Sequence, residues 1–234
     1  MSKMTLAEKV QRALDYQEIQ NIMAAHSYYY EAQQQWAELD AIWSKRDDIA
    51  YGMQHIGRKA VIGYYGKTNE LSRQEKLKIM SGLFPDIKNT AENEGIGDMV
   101  LHLLTTPYIV IAGDGRTAKG LWYGPSICSE IGRDGEPVVV SIWEKCETDF
   151  IKEDGQWKIW HFRQWPEFAG QIDKSFVDGF KGFPGRTAFP GPQPGKPEGA
   201  ATGPAMYSAR RVPKLEPKLP HAYDSWDDSL SCIK

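Results

Sequence analysis

Three Asp-Gly pairs, Asp114-Gly115, Asp134-Gly135 and Asp154-Gly155, constrain this chain more than any other feature. Each lies between alternating apolar runs, the pattern of a tight hairpin. Residues 98–165 therefore read as four antiparallel strands, over about 99–111, 116–127, 137–152 and 156–165. In the last strand, period-two alternation puts Trp157, Ile159, His161, Arg163 and Trp165 on one face and Trp160 and Phe162 on the other. Both faces are partly apolar, as in a sheet with one face in its own core and the other at a subunit interface. A homo-oligomer, dimer or trimer, is the expectation.

Upstream the periodicity is helical. Thr5-Leu-Ala-Glu8 is a capping box that starts a short helix, and Asp15-Tyr-Gln-Glu18 repeats the pattern ahead of a longer one. Ile19, Ile22, Met23, His26 and Tyr30 recur on one face of the longer helix. Residues 36–46 continue as helix, with Trp36, Leu39 and Trp43. Ile49 to Met53 reads as a short strand, Gly57 to Tyr65 and Glu70 to Leu83 as helices, and Asn89 to Gly97 as a polar loop. Helices followed by a strongly bent antiparallel sheet that closes over them make an α+β cone.

The cone accounts for residues 1–183. From Pro184 onward the composition changes: nine of the 14 prolines lie there, among Gly, Lys and Ala. Such a segment builds no core of its own. It nevertheless carries Tyr207, Leu215, Leu219, Tyr223 and Trp226, so residues 184–234 read as an extended arm laid on this subunit or a neighbour.

Several function classes are disfavoured. Net charge is −3, against the strongly basic face that nucleic acid demands. No apolar run approaches the ~20 residues of a membrane span. Met1 to Lys9 is polar and lacks a signal-peptide stretch, so the expected compartment is the cytoplasm. Cys128, Cys146 and Cys232 are too few and too widely spaced for a disulfide framework or a zinc motif and read as packing residues. No metal, phosphate-loop or dinucleotide fingerprint is present. An enzyme on this chain is expected to use no cofactor.

Four pieces carry a family resemblance: Glu18-Ile-Gln-Asn-Ile-Met, Gly57-Arg-Lys-Ala-Val-Ile-Gly-Tyr-Tyr65, the run from His102 to Ile109 with Gly113 to Ala118, and Asp149 to Ile159. Together they span roughly residues 15–165 and resemble the SnoaL-like branch of the nuclear transport factor two-like superfamily. The resemblance implies the same cone, and the superfamily includes isomerases, dehydratases, polyketide cyclases and pure binding proteins. Enzymes of the branch often pair a Tyr and an Asp on the first long helix. Tyr28, Tyr29 and Tyr30 meet the first requirement, but Gln33 and Gln34 stand where the carboxylate is expected. The Pro-rich arm and Trp157-Lys-Ile-Trp-His-Phe-Arg163 are similar to a subgroup containing a cofactor-independent, formaldehyde-releasing diarylpropane lyase of lignin-degrading bacteria.

The candidate catalytic residues are His102, Lys119, His161, Arg163 and Tyr30. The resemblance places His102 in the pocket, and imidazole suits proton transfer near neutral pH. Lys119 sits between Ala118 and Gly120, which leave space beside it for an alkoxide or phenolate. Arg163 either pairs with a carboxylate such as Glu144 or binds a substrate oxygen, because a buried unpaired guanidinium is costly. His161 shares its face, and Tyr30 offers a phenol to hold a hydroxyl. Tyr29, Tyr51, His55 and Tyr65 are candidates to bind an aromatic substrate, as are Tyr108, Trp122, Trp143 and Trp160, with Glu144 beside them. The expected activity is lysis of an aromatic, hydrophobic small molecule, most concretely deformylation of a diarylpropane diol. Dehydration, double-bond isomerisation and a non-catalytic binding module are the alternatives.

Overall fold

The capping box at Thr5 forms as written: the Glu8 carboxylate accepts the Thr5 backbone N–H, and the Thr5 hydroxyl accepts that of Glu8. The computed structural model describes residues 4–132, 134–173 and 212–234; the cone–arm boundary and Tyr207 lie outside them. Helix α1 (Leu6–Glu31) is one helix of 26 residues, where the sequence reads as two. Asp15 does not cap a second helix. It is buried against the sheet, where it accepts from Lys152 Nζ at 2.6 Å and Trp157 Nε1 at 3.0 Å. A short polar side chain ahead of an apolar stripe looks like a cap in sequence, and only the distant Lys and Trp reveal otherwise.

The chain reverses at Gln33, which takes a left-handed φ of 56°. It then forms α2 (Gln35–Ala41), β1 (Ala50–Tyr51) and β2 (His55–Ile56). Helix α3 (Arg58–Val61) opens into a π-helical turn over Ile62–Thr68 before α4 (Asn69–Leu83). The wide turn brings Tyr65 inward, where it is 1% exposed, and π turns commonly mark functional sites.

The sheet comprises β3 (Met99–His102), β4 (Thr105–Ile111), β5 (Thr117–Ile131), β6 (Pro137–Glu153) and β7 (Gln156–Gln171), in spatial order β2-β1-β7-β6-β5-β3. The first predicted strand is broken at Leu103-Leu104, so that β3 pairs with the far half of β5 and β4 with the near half. The Asp-Gly turns form, with positive φ at Gly115, Gly135 and Gly155, which glycine adopts freely. The product is a mixed α+β fold, helices packed in a curled antiparallel sheet.

One irregularity decides the site. Asp149 pairs with His161, but the next β6 residue, Phe150, pairs with Ile159, so Trp160 is an extra residue in β7. This bulge reverses the alternation. Trp157 and Ile159 face the core; after the bulge Phe162 faces it, and His161 and Arg163 point outward. The five residues expected on one face are therefore split between two.

Gly120 is small for a different reason than expected. Lys119 points outward, and the room at Gly120 is on the inner face, where the Trp122 ring lies across it. A Cβ there would sit 2.3 Å from that ring. Gly120→Ala is expected to cost about 1–3 kcal/mol, the usual penalty of overpacking. A denaturant midpoint equal to wild type would show that the ring moves aside freely.

Candidate functional site

Inside the cone two histidines are each held by a buried carboxylate. His26, from the apolar stripe of α1, places Nδ1 2.7 Å from Glu38 Oε1 of α2. Trp43 Nε1 donates to the same oxygen at 2.9 Å, and Tyr65 donates its hydroxyl to Glu38 Oε2 at 2.5 Å. Glu38 is fully buried and makes good all three donors. Burial, then the Glu38 charge, pushes Tyr65 well above an ordinary phenol, so it remains a donor.

The second pair is His102 Nε2 on β3 and Glu144 Oε1 on β6, 3.0 Å apart. These strands are not neighbours; β5 runs between them, so the backbones are roughly 9–10 Å apart. Gly124 on β5, opposite Glu144, allows the bridge: a Cβ there would approach His102 Nε2 to 3.1 Å and Glu144 Cγ to 3.2 Å. Gln164 Nε2 supports Glu144 at 2.9 Å, and the Tyr51 hydroxyl supports Gln164 at 2.9 Å. Cys146, two residues along the same face, donates weakly to Glu144 at 3.7 Å; burial pushes its thiol well above the ordinary value.

A carboxylate only accepts, so each histidine carries a proton on the nitrogen facing its partner. The other nitrogens, His26 Nε2 and His102 Nδ1, are buried with no hydrogen-bond partner. The two rings meet edge-on with centroids 5.6 Å apart, and Tyr30 packs on both, at 5.9 Å from His26 and 5.3 Å from His102. Beyond Tyr30 a cavity of about 30 Å³ opens at the mouth of the cone, lined by Gln33, Arg73, Lys76 and Asp98. That volume holds about two waters.

The remaining expected residues are distributed as follows. Tyr51, Tyr65, Trp122 and Glu144 are inside with His102. His55 stacks on Tyr64 at 3.8 Å on the outer hairpin, its pKa lowered by burial, and Tyr64 in turn contacts Tyr51. Tyr29 is half-buried on the neighbouring face of α1. Tyr108 and Trp143 are exposed, Tyr108 in a separate outer groove of about 250 Å³ with Tyr123 and Leu219. Lys119, His161, Arg163 and Trp160 lie across the sheet from His102, beneath the C-terminal residues. There Asp149, not a substrate oxygen, receives Lys119 and His161, and Arg163 donates to the Cys232 carbonyl at 2.8 Å. The expected single pocket holding His102, Lys119, His161 and Arg163 is thus not formed: the Trp160 bulge turns His161 and Arg163 outward, and Lys119 faces outward because Ala118, Gly120 and Trp122 take the inner positions of β5. His26, which reads only as part of the apolar stripe of α1, and Glu38 are not among the residues the sequence singles out for the site; Glu38 has the fainter signal. It shares a face with Gln35, Leu39 and Ile42 at helical spacing, and that was the available signal.

A helix-filled cone with buried ionisable groups at its centre defines a nuclear transport factor two-like protein. More narrowly, residues 11–163 match the SnoaL-like domain model, and the chain belongs to that family. Among solved structures it is similar to a candidate scytalone dehydratase from Novosphingobium aromaticivorans, at 16% identity and a TM-score of 0.50, covering 71% of this chain and 93% of that one. It is also similar to LinA, at 11% identity and a TM-score of 0.50, covering 71% of this chain and 95% of that one. At these identities the likeness is one of fold. No curated protein matches the chain. Among the described residues no helix is long and apolar enough to cross a membrane.

Proposed function

We propose that this protein is a cofactor-independent lyase acting on an aromatic, hydrophobic small molecule by paired proton transfer in the cone. One observation carries the reading: two buried histidines, each fixed by a carboxylate on one nitrogen, keep the other unpartnered and sit in mutual contact. Elimination and fragmentation need such a pair, one group to remove a proton and one to deliver it, with no net change.

The most concrete substrate is a diarylpropane diol. His26 takes the proton of the primary hydroxyl. The O–H electrons form the carbonyl of formaldehyde, the adjacent C–C bond breaks, and its electrons form the stilbene double bond. The benzylic hydroxyl leaves as water with a proton from His102. Tyr30 holds a substrate hydroxyl, and the surrounding rings suit aromatic faces, which gain ~0.5–1.5 kcal/mol per pair beyond burial. His26 is assigned the base because Glu38, itself fixed by Trp43 and Tyr65, holds its Nδ1 and its Nε2 has no partner. His102 is assigned the acid; that role requires it to enter the step protonated on both nitrogens, with Nε2 held by Glu144.

Dehydration uses the same pair with a C–H proton in place of the O–H. The small size of the cavity beside Tyr30 favours a second reading, a non-catalytic module; turnover requires that cavity to widen. Incubation of the diol without added cofactor separates these. Stilbene absorbance and formaldehyde rising in equal amounts is the expected result. Water loss without formaldehyde from a hydroxylated aromatic substrate identifies a dehydratase. A folded protein silent on every substrate is the binding module.

A further inference from the structure

We propose that His102, Glu144 and Cys146 form a site for one thiophilic divalent cation, Zn²⁺ by chemistry, and that the bound ion inhibits the enzyme. The inhibitory half rests on the proton-transfer reading above; the binding half does not.

The donor set comprises one imidazole, one carboxylate and one thiol, a combination that suits zinc. All three residues are buried, and their donor atoms lie within 4.8 Å of one another. The separations are 3.0 Å between His102 Nε2 and Glu144 Oε1, 3.7 Å between Cys146 Sγ and Glu144 Oε1, and 3.9 Å between Cys146 Sγ and His102 Nε2. A tetrahedral ion with bonds of about 2.0–2.3 Å holds such atoms about 3.3–3.6 Å apart, so shifts of a few tenths of an ångström suffice.

The backbone supplies the space. Gly124 faces all three groups, and a Cβ there would lie 3.1–3.3 Å from His102 Nε2, Glu144 Cγ and Cys146 Sγ. The glycine therefore clears one side of the cluster. Gln164 and Tyr51 already orient Glu144 from behind, the outer support that ligating carboxylates usually have. The set is not legible as a zinc motif because Glu144 and Cys146 come from β6 and His102 from β3, with β5 between them.

Binding proceeds by exchange. The bond between His102 Nε2 and Glu144 is lost: the metal displaces the Nε2 proton, and the proton that stays on the ring is on Nδ1. Cys146 releases its thiol proton to solvent as the metal–sulfur bond forms. The two charges of the ion are balanced by one thiolate and one carboxylate. With Nε2 on the metal, His102 can no longer serve as a proton donor held by Glu144.

The test uses the full chain, reduced and metal-free, titrated with Co²⁺ and then Zn²⁺. One equivalent of Co²⁺ should bind with a near-ultraviolet sulfur-to-cobalt charge-transfer band that Zn²⁺ removes. Cys146→Ser should lose the band, with affinity at least about 100-fold weaker, more than the 10–100-fold cost of a lost outer partner. Gly124→Ala keeps every ligand and should weaken binding by crowding them. No band in folded wild type, or a band that survives Cys146→Ser, overturns the site. Turnover should fall in step with occupancy. Occupancy with unchanged turnover overturns the inhibition and removes His102 from the proton path. Absence of turnover before metal is added, in protein that then takes up Co²⁺ with the band, sinks the lyase reading and leaves the metal site standing.

Discussion

Glu38→Gln will lower turnover by roughly 10²–10⁴-fold, the usual worth of a positioned general base. The substitution keeps size and the acceptor for Tyr65 or Trp43. It removes the charge that fixes the His26 tautomer and stabilises the imidazolium formed when His26 takes a proton. An amide nitrogen turned toward His26 would also reverse the tautomer and put a proton on Nε2, the nitrogen assigned to the base. A cost to folding is expected too, about 1.5–3 kcal/mol for a lost charged hydrogen bond. The two effects separate in experiment. Activity is measured well below the melting temperature of the variant, where it is fully folded. Turnover within threefold of wild type there would reduce the Glu38 cluster to a core network.

Asp149→Ala will have the largest effect on stability. The Asp149 carboxylate is fully buried on the outer face, 2.6 Å from Lys119 Nζ and 2.9 Å from His161 Nδ1, and accepts the Cys232 backbone N–H at 2.9 Å. It thus joins the sheet to the last residues of the chain. Lys119 also donates to the Leu230 carbonyl, and Arg163 to that of Cys232. Removing the carboxylate leaves the buried Lys119 ammonium with only Glu147, 4.0 Å away, as counter-charge, at about 3–5 kcal/mol. A melting temperature lower by roughly 6–20 °C is expected at 2–4 °C per kcal/mol for a chain of this size. Lys119→Met should also act through stability, because it leaves Asp149 without its cation, and should spare turnover.

The same group sets an acid limb. Burial pushes the Asp149 carboxyl up, but His161, Lys119 and the Cys232 amide outweigh burial and hold it below an ordinary aspartate. Its stabilisation is therefore complete above the unfolded value of about 3.9 and is lost as pH falls through the folded value. Glu147 nearby, raised first by its burial, opposes this slope. Wild type should lose stability below about pH 4 more steeply than Asp149→Asn, and parallel curves would remove Asp149 from the account.

The cone was legible because hairpin turns and helical stripes are local signals. Asp154-Gly155 closes its turn with both residues at positive φ, as its sequence implies. The site was legible only in half. His26, His102, Tyr30, Tyr51 and Glu144 sit on alternations that hold. His161 and Arg163 read onto the inner face because nothing in Lys-Ile-Trp-His-Phe-Arg announces an extra residue at Trp160, whereas Lys119 reads inward only from its small neighbours, which themselves take the inner side. A bulge is a matter of register with β6, and period-two counting is blind to it. Glu38 escaped because the family's carboxylate was sought on the first helix. Here it comes from α2, across the Gln33 turn.

The most direct test is the response of the five histidines, followed by ¹⁵N nuclear magnetic resonance, to saturating stilbene or unreactive diol analogue. The ring nitrogens of His26 and His102 are expected to shift together, with His161 and His221 unmoved. A shift of His161 with His26 and His102 silent would place the ligand beneath the C-terminal residues and contradict that expectation.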